Sequence, residues 1–170
     1  MDTKEKVTEW LWKKIAWVAS RRRVTAWLIR CAQRTPYLHI YSPDGTQVYM
    51  YRWWLFNAYD NETRQTKYRW CPVSIRLHRI MTPDNDRHLH DHPWDARTII
   101  LKGWYQELRQ GAGRVMRYPG HSAAIGYGEY HQIRYVCLGG AWTLFITGKY
   151  RGTWGFLVDG KKVPYKEYLE

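Results

Sequence analysis

The sequence has no apolar run approaching the roughly 18 residues that a membrane-spanning helix needs, and it has few cysteines and few acids. The lack of such a run argues against a helical membrane protein. The three cysteines, Cys31, Cys71 and Cys137, are odd in number and widely spaced. They suit reduced interior thiols better than a disulfide framework or a Cys-x-x-Cys zinc site. Asp and Glu number 15 against 27 Lys and Arg, a formal net charge of +12. That imbalance favours an acidic partner: nucleic acid, a nucleotide, a phosphorylated metabolite or anionic lipid. It does not choose among them, and a solubilising surface charge accounts for it equally well. Phenylalanine is also scarce, with three Phe against eleven Trp and fourteen Tyr. Trp and Tyr join a large apolar body to a polar tip, which suits β-barrel walls and stacking pockets. Residues 1–6 are of mixed charge and lack the apolar segment of a signal peptide, which predicts a cytoplasmic protein.

A length of 170 residues with 45% hydrophobic content fits one globular domain with a real core. Residues 4–33 read as helix. Val7, Trp10, Leu11, Ile15 and Val18 share one apolar face, and Val24, Trp27, Leu28 and Cys31 repeat it after a break at residues 20–23. With Lys13, Lys14, Arg21, Arg22 and Arg23 beside that face, such a helix can lie on a membrane surface. Packing across a sheet or a partner subunit is the preferred reading. Pro36 stops the helix, so residues 1–35 are expected to form an amphipathic helical segment and residues 36–170 a β domain, together one globular unit.

Short strands with turn signals between them follow. Residues 37–41 lead into a Pro43-Asp44-Gly45 turn, then strands are expected at 47–59 and 73–81. In the second, Val73, Ile75 and Leu77 face one way and Ser74, Arg76, His78 and Ile80 the other. After a loop at 82–86 come strands at 98–101, 104–108, 114–118, 121–127, 131–138 and 141–147, then a hairpin of 153–158 with 161–165. Many short strands at this spacing predict a sandwich or barrel.

Between the loop and the next strand, residues 87–95 hold three of the seven histidines. On an extended strand His88, His90 and His92 project together, with Leu89 and Asp91 opposite, until Pro93 ends or bends it. Imidazoles one strand step apart can reach a single ion, and neutral imidazole suits zinc, iron, copper and nickel. Taken alone, the run also fits a polar loop or a hydrogen-bonded histidine cluster.

His90-x-His92, Gly103, Pro119-Gly120 and His131 together resemble the two-part cupin pattern. The resemblance spans about residues 73–147 and implies a mainly β, double-stranded β-helix barrel, here preceded by the N-terminal helical segment, with a metal inside the barrel mouth. The run Leu89–Trp94, with Leu101-x-Gly103-x-Tyr105-x-Glu107 and Trp154-Gly155-Phe156, is similar to uncharacterised cupin-like proteins of bacteria and phages. A phage origin would place the protein in the host cytoplasm. Cupins usually carry a glutamate three or four residues after the second histidine, but Ala96 and Arg97 stand there. Pairing His88 with His90 would put Asp95 at the acid position, yet the distance to Gly103 fits His90 and His92 better.

The implied site is therefore three-histidine, His90, His92 and His131, resembling thiol dioxygenases and diketone-cleaving cupins. Glu107 is expected as a further ligand or as a base beside the site, and Asp95 as a hydrogen-bond partner of a ligand's outer nitrogen. His88 is expected in the outer shell or against substrate. Arg76, Arg97, Tyr105 and Arg134 lie on strands that line or rim such a barrel, where arginine can fork onto a carboxylate or phosphate. His121 reads as a surface residue, and His39 and His78 as ordinary strand histidines.

The function expected is a mononuclear metal cupin, an oxygenase on a small anionic substrate, with iron ahead of zinc, manganese or nickel. An isomerase or hydrolase needs the same ligands. The alternatives are a cupin that holds a small anionic ligand or nucleotide without turnover, and a basic protein associated with nucleic acid, for which no recognition motif is present. A homodimer formed through the N-terminal helix is a further expectation.

Overall fold

Period-two alternation sets the architecture. In the computed structural model, which describes residues 2–35, 37–42 and 44–170, it produces eleven strands and three helices. Pro36, the expected helix stop, and Pro43 of the expected turn lie outside the described residues. One sheet runs β1 (Ile40–Tyr41), β2 (Val48–Phe56), β3 (Ser74–Ile80), β9 (Ala141–Thr147), β4 (Ala96–Lys102), β7 (Ser122–Ile125), with all neighbours antiparallel. A second set pairs β6 (Gly113–Arg117), β5 (Tyr105–Arg109) and β8 (His131–Val136), and a hairpin joins β10 (Gly155–Val158) to β11 (Lys161–Pro164).

The two layers meet through Ile80, Ile100 and Ala141 of the first and Tyr105 and Ile133 of the second. On the first sheet, Ile75 and Leu77 turn outward toward the helices while Arg76, His78 and Ile80 turn inward to a cavity, as the alternation predicts.

The expected strand at 88–92 forms only a bridge. His90 exchanges backbone hydrogen bonds with His131, N to O at 2.9 Å in both directions, and also bridges Phe156. Asp91 N donates to Gly155 O at 3.0 Å and Leu157 N to Leu89 O at 2.8 Å. This short extended segment is thus the rung between β8 and β10. Gly103 makes the tight corner from β4 to β5 at φ +76°, where a Cβ would lie 2.5 Å from Gly140 O, so only glycine fits.

Helices α1 (Thr3–Ala19) and α2 (Arg22–Ala32) cover the outer face of the first sheet. They separate where Arg21 takes an extended ψ of 132°. The face that α1 buries differs from the one expected. Ala16 and Ala19, with Trp12, meet the large side chains Trp53, Leu77, Ile99 and Trp142, while Val7, Trp10, Leu11, Ile15 and Val18 are exposed. Small residues let the helix axis approach a sheet whose own side chains are bulky. In α2 the pattern holds better: Leu28 is buried, although Trp27 is exposed. Among the described residues no helix is long and apolar enough to cross a membrane. The expected strand at 161–165 ends at Pro164, and the chain turns into the short helix α3 (Tyr165–Leu169). The cysteines are all free, as expected.

Asp91 locks the histidine rung. It is fully buried, and its carboxylate accepts Gly155 N at 2.7 Å and Lys162 Nζ at 2.5 Å. Replacing Asp91 by alanine strands a buried N–H and removes the ammonium's partner. Urea unfolding is expected to show a loss of about 3 kcal/mol.

Candidate metal centre

The three histidines of the pattern converge. His90, His92 and His131 each offer a ring nitrogen, and these atoms lie within 4.8 Å of one another. His92 Nε2 and His131 Nε2 are 2.9 Å apart. Backbone pairing explains the convergence: the rung bonds directly to β8, setting His90 opposite His131, and His92 follows one strand step on. Two nitrogens each about 2.1 Å from one ion and at right angles would be separated by about 3.0 Å. The donor set therefore fits a divalent transition metal. Without an ion the same contact is a hydrogen bond between the two rings.

Carboxylates stand behind two of the rings. Glu107 Oε2 lies 3.4 Å from His131 Nδ1, and Asp84 Oδ2 lies 3.8 Å from His90 Nδ1. Both separations exceed a good hydrogen bond, and both ring atoms are buried without a formed partner. A carboxylate on the Nδ1 side favours the proton there and turns the Nε2 lone pair of His131 toward the other imidazoles. Glu107 is fully buried and also takes Arg117 Nε at 2.8 Å. Burial pushes its pKa up, but His131 and Arg117 more than offset this and hold it below the ordinary value. Glu107 thus stands behind a ligand and outside the three-nitrogen cluster. Asp84 is fixed by Ile133 N at 2.7 Å and by the Tyr49 hydroxyl.

Burial disfavours a charge on His90 and on His92. Burial lowers His90 to about 4, against a partial opposing pull from Asp84. Burial also takes His92 well below its usual range, helped by the neighbouring His131, His90 and Arg76. Aromatic neighbours supply the apolar setting: Trp94 stacks on His92 at 5.3 Å, Phe145 meets it at 5.7 Å, and Trp154 and Phe156 flank His90.

The histidines line a cavity of about 700 Å³ between the layers, with Tyr105, Thr98, Thr143 and Phe145 in its wall. Tyr105 is buried there, and burial raises its pKa, with Glu107 adding to the effect. His78 and Arg76 belong to the same wall. His78 had read as an ordinary strand histidine; the inward face of β3 makes it a cavity residue, stacked on Phe145 at 5.0 Å.

Four expected site residues lie elsewhere. Asp95 does not bond a ligand's outer nitrogen. It is exposed, receiving Tyr127 N at 2.9 Å and Arg151 Nη1 at 2.7 Å, because Pro93 and Trp94 carry the chain away from the rung. Arg97 is on the outward face of β4, where it pairs with Glu9 of α1 and bonds Ser122 Oγ at 3.0 Å. Arg134 is exposed and holds Gln132 Oε1 at 2.8 Å. His88 bonds the Tyr168 hydroxyl at 2.9 Å and so ties down α3 rather than joining the cluster. Sequence reasoning missed Asp84 and Arg117. The loop acid and the strand arginine have no spacing relation to the histidines that they serve.

Comparison with known proteins comes only through structure. No family model matches the sequence, and no curated protein is detectably similar to it. A cupin-2 domain from Rhodospirillum rubrum superposes with a TM-score of 0.51 at 17% identity, over 72% of this chain and 74% of that one. A cupin 2 conserved barrel domain protein from Rhodopseudomonas palustris gives 0.51 at 18% identity, over 74% and 77%. At such identities the likeness speaks for the fold alone, and the fold of this chain is that of the cupins: a β-barrel with an added N-terminal helical segment.

Proposed function

We propose that the chain is a mononuclear metal-dependent oxygenase of the cupin fold, acting on a small anionic substrate, with iron as its metal. The observation that carries this reading is the convergence of three imidazoles with no carboxylate among them. His90, His92 and His131 would hold the ion, and zinc, manganese and nickel are the other ions that such a donor set accepts. When bound, a redox-active ion with three protein ligands supplies the open coordination positions and the electron exchange that oxygen chemistry requires.

The chain's own residues prepare that setting. Glu107 and Asp84 favour Nδ1 protonation of His131 and His90, which frees the opposite nitrogens for ligation. Trp94, Tyr105 and Phe145 give the cavity apolar walls that exclude water from the reacting groups. His78 brings a neutral imidazole to the same wall, because burial, with Arg76 and Arg52 nearby, takes its pKa well below normal.

Purified, untagged protein is expected to carry about one equivalent of iron by elemental analysis, and a His90→Ala, His131→Ala double variant to carry none. If neither holds metal after reconstitution with ferrous iron under argon, the oxygenase reading is wrong and the cavity belongs to a cupin that binds an anion without turnover. Glu107→Gln keeps the shape but weakens the hold on His131, and metal affinity should fall by about 10–100-fold.

Proton linkage gives a further expectation for the metal-free protein. An unfolded chain's histidine binds a proton near pH 6.5, the folded His90 only near about 4. Acid therefore favours the unfolded state between those values, and stability should fall as pH drops through that window. The melting temperature of His90→Gln is expected to show a shallower decline than that of the wild type over the same window.

A further inference from the structure

We propose that Arg76 is the receptor for a carboxylate of the substrate. The inference deepens the reading of the cavity as a substrate site, and depends on neither the metal's identity nor turnover. Arg76 is 2% exposed and is among the largest fully buried side chains of the protein. Its Nη1 donates to the Tyr59 hydroxyl at 3.2 Å, while Nε and Nη2 are buried with no partner among the described residues. No acid among the described residues forms an ion pair with it; Glu107 and Asp84 are committed to the other side of the histidines. A buried charge with unmet donors is costly, and β3 places this one on the face that lines the cavity.

The unmet atoms define the ligand's shape. Nε and Nη2 form one edge of the guanidinium, two parallel N–H donors that match the two oxygens of a carboxylate. Four aromatic rings surround the cation, with Cζ 5.4 Å from the Trp54 centroid, 5.6 Å from Tyr59, 5.0 Å from Trp94 and 5.3 Å from Phe145. They keep the charge tolerable in the absence of an anion and leave a dry setting in which a forked pair is strong. A monoanion matches this single free edge. A phosphate dianion calls for more donors, but among the described residues no lysine lines the cavity, and of its other two arginines Arg52 has Nε bound to Leu38 O at 2.9 Å while Arg64 packs over the Tyr150 ring at 5.4 Å; Asp84 and Asp86 add negative charge.

The receptor is also adjacent to the cluster. Trp94 and Phe145 contact both Arg76 and His92, so a carboxylate held by Arg76 brings the atoms next to it toward the three histidines. His78, two residues along β3, presents an unpartnered Nε2 to the same cavity as a second polar contact.

Isothermal titration of metal-free protein with acetate and with benzoate tests this, with benzamide and inorganic phosphate as comparators. Saturable binding of at least one carboxylate is expected, with no binding of the amide and weaker binding of phosphate. Affinity should drop by at least about tenfold in Arg76→Gln and in Arg76→Lys, which keeps the charge but loses the fork. Circular dichroism confirms folding, and if the glutamine variant does not fold, the lysine variant decides. Equal carboxylate affinity in the variants and the wild type would overturn the assignment. So would phosphate binding more tightly than both carboxylates, or no binding of either carboxylate to the wild type. Failure of the metal reading is separable: a His90→Ala, His131→Ala variant without metal should still bind the carboxylate through Arg76.

Discussion

Everything in the cavity depends on one backbone pairing, the reciprocal N–H to O bonds between His90 and His131. Without that rung, β8 and β10 have no common neighbour, and the hairpin that closes the second layer is detached from the rest of it. The pairing also fixes chemistry, because residues directly opposite across an antiparallel bridge carry their side chains on the same face. Structural closure and ligand convergence are therefore the same event. Asp91 enforces it from behind, its carboxylate bound to Gly155 N and Lys162 while its two flanking histidines face the cavity.

Charge is arranged in layers around that rung. Burial disfavours a charge on His90 and His92, the carboxylates of Glu107 and Asp84 sit on the far side of His131 and His90, and Arg117 and Arg109 stand beside Glu107. This ordering explains why the usual acid position can hold Ala96 without leaving the site short of negative charge. A carboxylate one shell out orients a histidine without occupying a coordination position. Ala96 itself is buried beside Ile125 and Phe145, so it serves packing there.

Much of this was legible in the sequence, for identifiable reasons. Strand periodicity placed Arg76 and His78 on one face and Leu77 on the other, since a pleated strand admits no other alternation. His90, His92 and His131 could be singled out because glycine and turn positions between them fix the register; Gly103 tolerates no side chain at all. Asp95 and Arg97 were misplaced because Pro93 and Trp94 break the extended run, and beyond a break the parity of a face is lost. Asp84 and Arg117 carry no signal, as their roles come from loop closure and from cross-strand pairing with Glu107. Helix α1 shows a different limit. Hydrophobic periodicity reports that a helix has two faces, but the sheet selected the one bearing Ala16 and Ala19, where close approach was sterically open.

The two chemical halves of the cavity follow from the same strand logic. The histidine cluster comes from the second layer and its rung, whereas Arg76 and His78 come from β3 in the first. A ligand that spans both must lie between the layers, where the flanking walls are aromatic and a misplaced polar group finds few partners. Selectivity then arises on both sides of the ligand. Arg76 disfavours a neutral or cationic head group, because its own donors would stay unmet, and the apolar walls disfavour a second charge away from that edge. The scarcity of acids noted in the sequence thus has a local counterpart beside β3: among the described residues the guanidinium has no carboxylate partner, which is the basis for assigning it to a ligand.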